Sequence, residues 1–271
     1  MKRLAALLAA LAVLSGTRAA VPGESRLALV IGNAAYFPSD ASLPNAANDA
    51  RLVAETLRDL GFRVRLLENA DHAAMRSKIR EFEDELRREG GVALLYFAGH
   101  GAQLEGRNYL MPVGAGVTNE LELRGRTVDA TELVERLRAT GSRLNIVILD
   151  ACRNNPLYKP TVANARDAGA PVGLASMRPA AGTLVAFATE SGRVASDGSG
   201  GHGVYAKHLV RYMRTAGLPL EQVFKRVREA VAAETRGKQI PVEFSSLTGA
   251  DFYFVQPAAD ARFGSKARVA Q

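Results

Sequence analysis

Val92-Ala93-Leu94-Leu95-Tyr96-Phe97-Ala98-Gly99-His100-Gly101 and Leu144-Asn145-Ile146-Val147-Ile148-Leu149-Asp150-Ala151-Cys152-Arg153 are the two stretches that decide the fold. Each opens as a short, almost wholly apolar run, as expected of a strand buried on both faces at the centre of a helix-covered sheet. Each then breaks into glycine or polar, reactive side chains. Ligands of parallel α/β sheets bind beyond the carboxyl ends of the strands. The two breaks therefore mark where chemistry would be held.

Outward from these runs, strand text alternates with helical text. Leu27–Ile31 reads as a strand ending at Gly32, and Phe62–Leu67 as another. Asn48–Leu60 has helical spacing through Leu52, Val53, Leu57 and Leu60, with Gly61 as its stop. Ala73–Glu89 is a charged amphipathic helix with Met75, Ile79, Phe82 and Leu86 on one face, closed by Gly90-Gly91. Gly99–Pro112 reads as a glycine-rich stretch with a hairpin, and Thr131–Ala139 as a short helix. After a long segment poor in periodicity, order resumes with a strand at Thr183–Ala188. Helices near Val204–Met213 and Leu220–Glu234 follow, then a late strand at Phe252–Val255. The alternation predicts an α/β fold with a mainly parallel central sheet flanked by helices, in one domain over residues 20–256. Residues 257–271 read as a flexible tail.

Met1–Ala20 is a separate matter. Lys2 and Arg3, an apolar run Leu4–Leu14 and Thr17-Arg18-Ala19 make the layout of a secretory signal peptide over residues 1–19, with the protein exported to a periplasm or the medium. The run is about half the ~20 residues a spanning helix needs, so no stable membrane span is expected after its removal. Loss of Lys2, Arg3 and Arg18 lowers the formal charge from +7 to +4. The remaining bases alternate with acids, which gives no argument for nucleic acid. One cysteine among 271 residues excludes an internal disulfide framework and any Cys-rich zinc site.

That one cysteine follows a central strand, and His100 ends another 52 residues upstream. A thiol beside an imidazole is a nucleophile–base pair: the histidine favours thiolate, which attacks a carbonyl. The glycines around His100 allow the backbone to turn sharply and to approach a ligand closely. Cys152 also has a plain reading as a buried thiol. His202, within Gly198-Ser199-Gly200-Gly201-His202-Gly203, competes with His100. That stretch fits G-x-G-x-x-G, but Arg193-Val194-Ala195-Ser196-Asp197 stands where a strand should immediately precede it, and no clear acidic partner of a dinucleotide site follows. It reads better as a flexible loop near a cleft. His72 and His208 read as surface or boundary residues.

The opening Leu-Val-Ile-Gly-Asn, Leu43-Pro44-Asn45-Ala46-Ala47-Asn48-Asp49-Ala50, Leu60-Gly61-Phe62, Phe97-Ala98-Gly99-His100-Gly101 and Leu149-Asp150-Ala151-Cys152-Arg153 occur in order. Ser245-Ser246-Leu247-Thr248-Gly249 before Asp251-Phe252-Tyr253-Phe254 completes the set. Together they resemble a bacterial member of the caspase-like family of cysteine peptidases, related to metacaspases and paracaspases, over nearly all of the mature chain. The resemblance implies a caspase-hemoglobinase fold. It implies His100 as general acid/base, Cys152 as nucleophile, and an oxyanion site from the backbone amides of Gly101 and Cys152. The implied substrate is a peptide or protein. Thiol-based acyl transfer needs no metal or organic cofactor and none is expected; some metacaspases respond to calcium, but no convincing calcium loop is present.

Position 150 is Asp where animal caspases carry Gln, and metacaspases also carry Asp there. Asp150 and Asp49 are thereby implied to line the pocket for the residue before the scissile bond, which favours Arg or Lys and repels Asp. Asp49 has a second reading, with Asn48, at the start of a helix. The long loop 153–182 offers Lys159, Arg166 and Arg178 as processing sites. Two other functions stay open: a catalytically idle caspase-like binding module, and a cysteine hydrolase or acyltransferase acting on something other than a peptide.

Overall fold

The apolar runs form strands of one sheet in the computed structural model, which describes residues 24–37, 42–152, 174–190 and 200–257 and, at Cys152, the backbone. Residues 1–19, Lys159, Arg166 and the tail beyond 257 fall outside the described residues. β1 (Arg26–Gly32), β2 (Arg63–Glu68), β3 (Val92–Leu104), β6 (Leu144–Cys152), β7 (Thr183–Phe187) and β8 (Val242–Ser245) lie in the order β2-β1-β3-β6-β7-β8. All neighbours are parallel except β7 and β8. β4 (Arg107–Leu110) folds back antiparallel on the end of β3, and β5 (Val128–Asp129) pairs with β4.

Because the central strands are apolar on both faces, two cores form. On one face Val30, Leu94, Tyr96 and Ile148 pack with α1 (Pro44–Asp59), α5 (Val204–Met213) and α6 (Leu220–Glu234). On the other, Ile31, Leu95, Phe97 and Val147 pack with α2 (His72–Glu89) and α4 (Ala130–Arg138). α1 approaches β1 closely: a Cβ at Gly32 would meet Ala50 Cβ at 2.5 Å and the Ala46 carbonyl at 2.8 Å. The alanines of Pro44-Asn45-Ala46-Ala47 and the glycine are thus one packing solution. α2 starts where Asp71 accepts a hydrogen bond from the Ala74 N–H at 2.8 Å, and it ends at Gly90, whose φ is +65°.

Four expectations change. α1 begins at Pro44, so Asp49 lies beyond the first turn and does not start the helix. β3 does not end at Ala98 but runs on to Leu104, exchanging β1 for β4 as partner, and its end forms with β4 the hairpin expected over Gly99–Pro112. Glu120–Arg126 is a helix, α3, with the Asn119 side chain accepting from the Glu122 N–H at 3.0 Å. Only Leu123 of it is buried, so no apolar stripe announced it.

Fourth, residues 252–255 are not a strand, and Val242–Ser245 is. Phe252 and Phe254 are buried alternately, as a strand's would be. The carbonyls here, however, are taken by a side chain and by the segment leading into α6: Arg26 donates to those of Tyr253 and Phe254, each at 3.1 Å, and the N–H groups of Leu220 and Gly217 donate to those of Phe252 and Val255 at 2.9 and 3.0 Å. Tyr253 makes a single bridge to Pro219.

Candidate active site

Register sets the site. β3 and β6 pair in parallel with Ala98 opposite Asp150 and His100 opposite Cys152. The two strand ends are therefore adjacent, and Cys152 is the last residue of its strand rather than the first of a loop.

The backbone around His100 has a defined orientation. The Ala98 carbonyl accepts from Asn33 on the β1 side, and the His100 carbonyl accepts from Met111 at 2.9 Å. Peptide groups of a strand alternate between its two edges, so the Gly101 N–H turns the other way, toward β6. That amide sits beside the end of the strand that carries Cys152. Both flanking glycines serve packing. A Cβ at Gly99 would lie 2.6 Å from Tyr36 Oη, and one at Gly101 would lie 2.9 Å from a Leu174 methyl.

Tyr36 is the residue that sequence reasoning missed. Its ring lies 4.4 Å from the His100 imidazole, centroid to centroid, at 51°. Its hydroxyl accepts from the His100 N–H at 3.0 Å and donates to the Met111 carbonyl at 2.9 Å. His100 is thereby buried and held from both its ring and its backbone. No motif marks Tyr36; only a pattern of aromatic residues just after the first strand could have pointed to it.

Asp150 and Asp49 converge on the face covered by α1 and α5. The Tyr96 hydroxyl donates to Asp150 Oδ2 at 2.8 Å. Burial holds the Tyr96 phenol well above its usual range, and the charges of Asp150 and then Asp49 push it further. Both carboxylates are thus within electrostatic reach of one phenol. Tyr205, on α5, is also buried and shifted upward, first by burial and then by Asp150.

Asp49 itself is buried, and it clamps the start of α5. The Gly203 N–H reaches both its oxygens, at 3.0 and 3.1 Å, and His202 Nδ1 lies 3.1 Å from Oδ1. A Cβ at Gly203 would meet Asp49 Oδ2 at 2.8 Å. His202-Gly203 therefore belongs to a carboxylate clamp, which explains why a small residue follows the histidine. His202 serves the acidic side of the site.

The remaining residues fall elsewhere. Arg178 is exposed, but the chain around it is fixed, since Asn108 brackets Ala175 at 2.6 and 2.8 Å and Ser246 binds the Pro179 carbonyl at 2.7 Å. His208 is buried rather than superficial, with Nε2 at 2.7 Å from Glu234. No helix among the described residues is long and apolar enough to cross a membrane.

A family model described as the caspase domain matches residues 25–253. Mucosa-associated lymphoid tissue lymphoma translocation protein 1 of Homo sapiens is 29% identical over 139 residues, which covers 51% of this chain and 16% of that protein. Its Mus musculus homolog is 28% identical with the same coverage. The chain thus spans a small part of these relatives' length. Among solved structures, caspase-1 from Spodoptera frugiperda superposes with a TM-score of 0.62 at 16% identity, covering 86% of this chain and 91% of that one. That likeness bears on the fold alone. The family model, however, runs from just before β1 to past β8 and takes in both strand ends, so the protein belongs to the caspase-domain family of cysteine peptidases.

Proposed function

We propose that the protein is an endopeptidase that cuts after Arg or Lys, with Cys152 as nucleophile and His100 as general acid/base. The observation that carries the reading is the β3–β6 register, His100 opposite Cys152, with Asp150 two residues upstream on the same strand. In the proposed cycle His100 takes the thiol proton, and the thiolate attacks the scissile carbonyl carbon. The negative oxygen of the tetrahedral intermediate accepts hydrogen bonds from the amides of Gly101 and Cys152. His100 returns the proton to the departing amine, leaving a thioester. Water, deprotonated by His100, then releases the carboxylate and regenerates the thiol.

Preference for a basic residue follows from two carboxylates within reach of one phenol, Asp150 and Asp49. A guanidinium or ammonium there gains charge-assisted hydrogen bonds, whereas a substrate carboxylate meets like charge. Asp49 contributes from a clamp it makes with Gly203 and His202, and Asp150 from the end of β6, where it accepts from Tyr96.

Two further readings belong to the same proposal. Residues 1–19 direct export, and the mature N-terminus is Ala20. Autoprocessing, where it occurs, uses Lys159 or Arg166 ahead of Arg178. The bond after Arg178 leads into Pro179, and its flanks are anchored by Asn108 and Ser246.

An Arg-ended peptidyl chloromethyl ketone tests the chemistry. The expected result is one added peptidyl group, mapped by mass spectrometry to Cys152, with an Asp-ended reagent much slower. Faster labelling by the Asp-ended reagent would contradict the specificity. No labelling of Cys152 by either would favour an idle binding module.

A further inference from the structure

The face of the sheet away from Asp49 and Asp150 carries a second concentration of charge, of the opposite sign. A cleft of about 300 Å³ opens between α2 on one wall and the α3–β5–α4 segment on the other. α2 supplies His72, Arg76 and Arg80, the end of α3 supplies Arg124, and α4 supplies Arg136. Four guanidinium groups thus line one small concavity against two carboxylates, Asp129 and Glu132.

The carboxylates are already engaged. Asp129 binds Arg107 at 2.6 Å and caps α4 through the N–H groups of Thr131 and Glu132. Glu132 lies 3.6 Å from Arg136. Arg136 and Arg124 are further held by Glu83 and Glu105, at 2.7 and 2.6 Å. These two are therefore presented in fixed positions. Arg76 and Arg80, by contrast, have no ion pair or hydrogen bond among the described residues. They stand one helical turn apart, where like charges repel. The half-buried His72 on the cleft wall feels the same excess: desolvation first, then the charge of Arg76, hold it below its usual range.

We propose that this cleft binds a small multivalent phosphate-type oxyanion. Two free guanidiniums from one wall and two anchored ones from the other match several oxygens of one anion, and guanidinium forks pair bidentately with phosphate. Bound charge would relieve the Arg76–Arg80 repulsion. The site is separate from the peptidase centre, because α2 and α4 cover one face of the sheet while α1 and α5 cover the other. Its ligand is thus not the peptide substrate.

Titration calorimetry of the full chain with pyrophosphate, at fixed ionic strength, tests this. Citrate serves as a multivalent carboxylate comparison. Wild type should bind pyrophosphate at one site and prefer it to citrate. The double variant Arg76→Gln/Arg80→Gln should bind at least about tenfold more weakly, the loss expected for charge-assisted contacts of about 1.4 kcal/mol or more. Arg88→Gln/Arg138→Gln removes two charges from exposed positions outside the cleft and should bind within about twofold of wild type on that reasoning. NMR of His72 supplies a second readout, an upward shift of its titration when pyrophosphate is present. Equal weakening in both double variants, equal affinity for citrate, absence of binding by wild type, or an unmoved His72 would each overturn the proposal.

Discussion

Replacing Tyr36 with Phe removes one oxygen atom and leaves the ring against His100, which makes it a clean test of how the histidine is held. The hydroxyl serves two backbone groups, accepting from the His100 N–H at 3.0 Å and donating to the Met111 carbonyl at 2.9 Å. The consequences for the two differ. The Met111 carbonyl keeps a second donor, Asn33 Nδ2, at 3.1 Å. The His100 N–H loses its acceptor in a buried setting, and a buried donor left unsatisfied costs about 1–3 kcal/mol. For a domain of this size each kcal/mol lowers Tm by about 2–4 °C, so the variant should melt about 2–12 °C lower. Activity should fall further than binding, because the group displaced carries the proposed general base. A loss of about tenfold in kcat corresponds to ~1.4 kcal/mol in the barrier, with KM little changed. Differential scanning fluorimetry and steady-state cleavage of an Arg-ended peptide measure both. An unchanged Tm together with an unchanged kcat would refute the assignment of Tyr36 as a positioning residue.

Three other substitutions have defined outcomes. Gly32→Ala forces a Cβ to 2.5 Å from Ala50 and should destabilise by about 1–3 kcal/mol in chemical denaturation, with Asp49 displaced along with α1. Arg26→Met removes the donors that hold Tyr253, Phe254 and Leu60 and the charge over the Phe252 ring at 4.9 Å. It should cost about 1–3 kcal/mol and increase hydrogen exchange over residues 252–255. Asp150→Asn should lower kcat/KM for Arg-ended peptides on the order of 10- to 100-fold, the range for a charge-assisted hydrogen bond, and should spare folding. An Asp150→Asn enzyme that kept its full preference for Arg over Asp would remove that residue from the pocket.

What could be read from the residues was whatever depends on pattern. Unbroken apolar runs place β3 and β6 in the middle of the sheet, and the helical stripes of α2, α5 and α6 give their bounds to within a residue or so. Pairing of His100 with Cys152 follows from two such runs lying side by side. The parts that escaped depend on contacts across long separations. The glycines flanking His100 look like a turn, yet their role is to admit Tyr36 and Leu174 to a strand that continues. Phe252–Val255 alternates like a strand, yet an arginine from β1 takes its two middle carbonyls and the N–H groups of Leu220 and Gly217 take the outer two. Asp49 looks like a helix start because Asn48 precedes it, while Pro44 begins the helix a turn earlier and the carboxylate clamps Gly203 and His202 from the other side of the chain.

The central claim is that one thiol, served by one imidazole, cuts peptides after basic residues. Wild type, Cys152→Ala and His100→Ala compared on Arg-, Lys- and Asp-ended fluorogenic peptides test it most directly. The account predicts turnover of the Arg and Lys peptides by wild type alone, little turnover of the Asp peptide, and intact folding of both variants by circular dichroism. Equal activity in wild type and Cys152→Ala would contradict it.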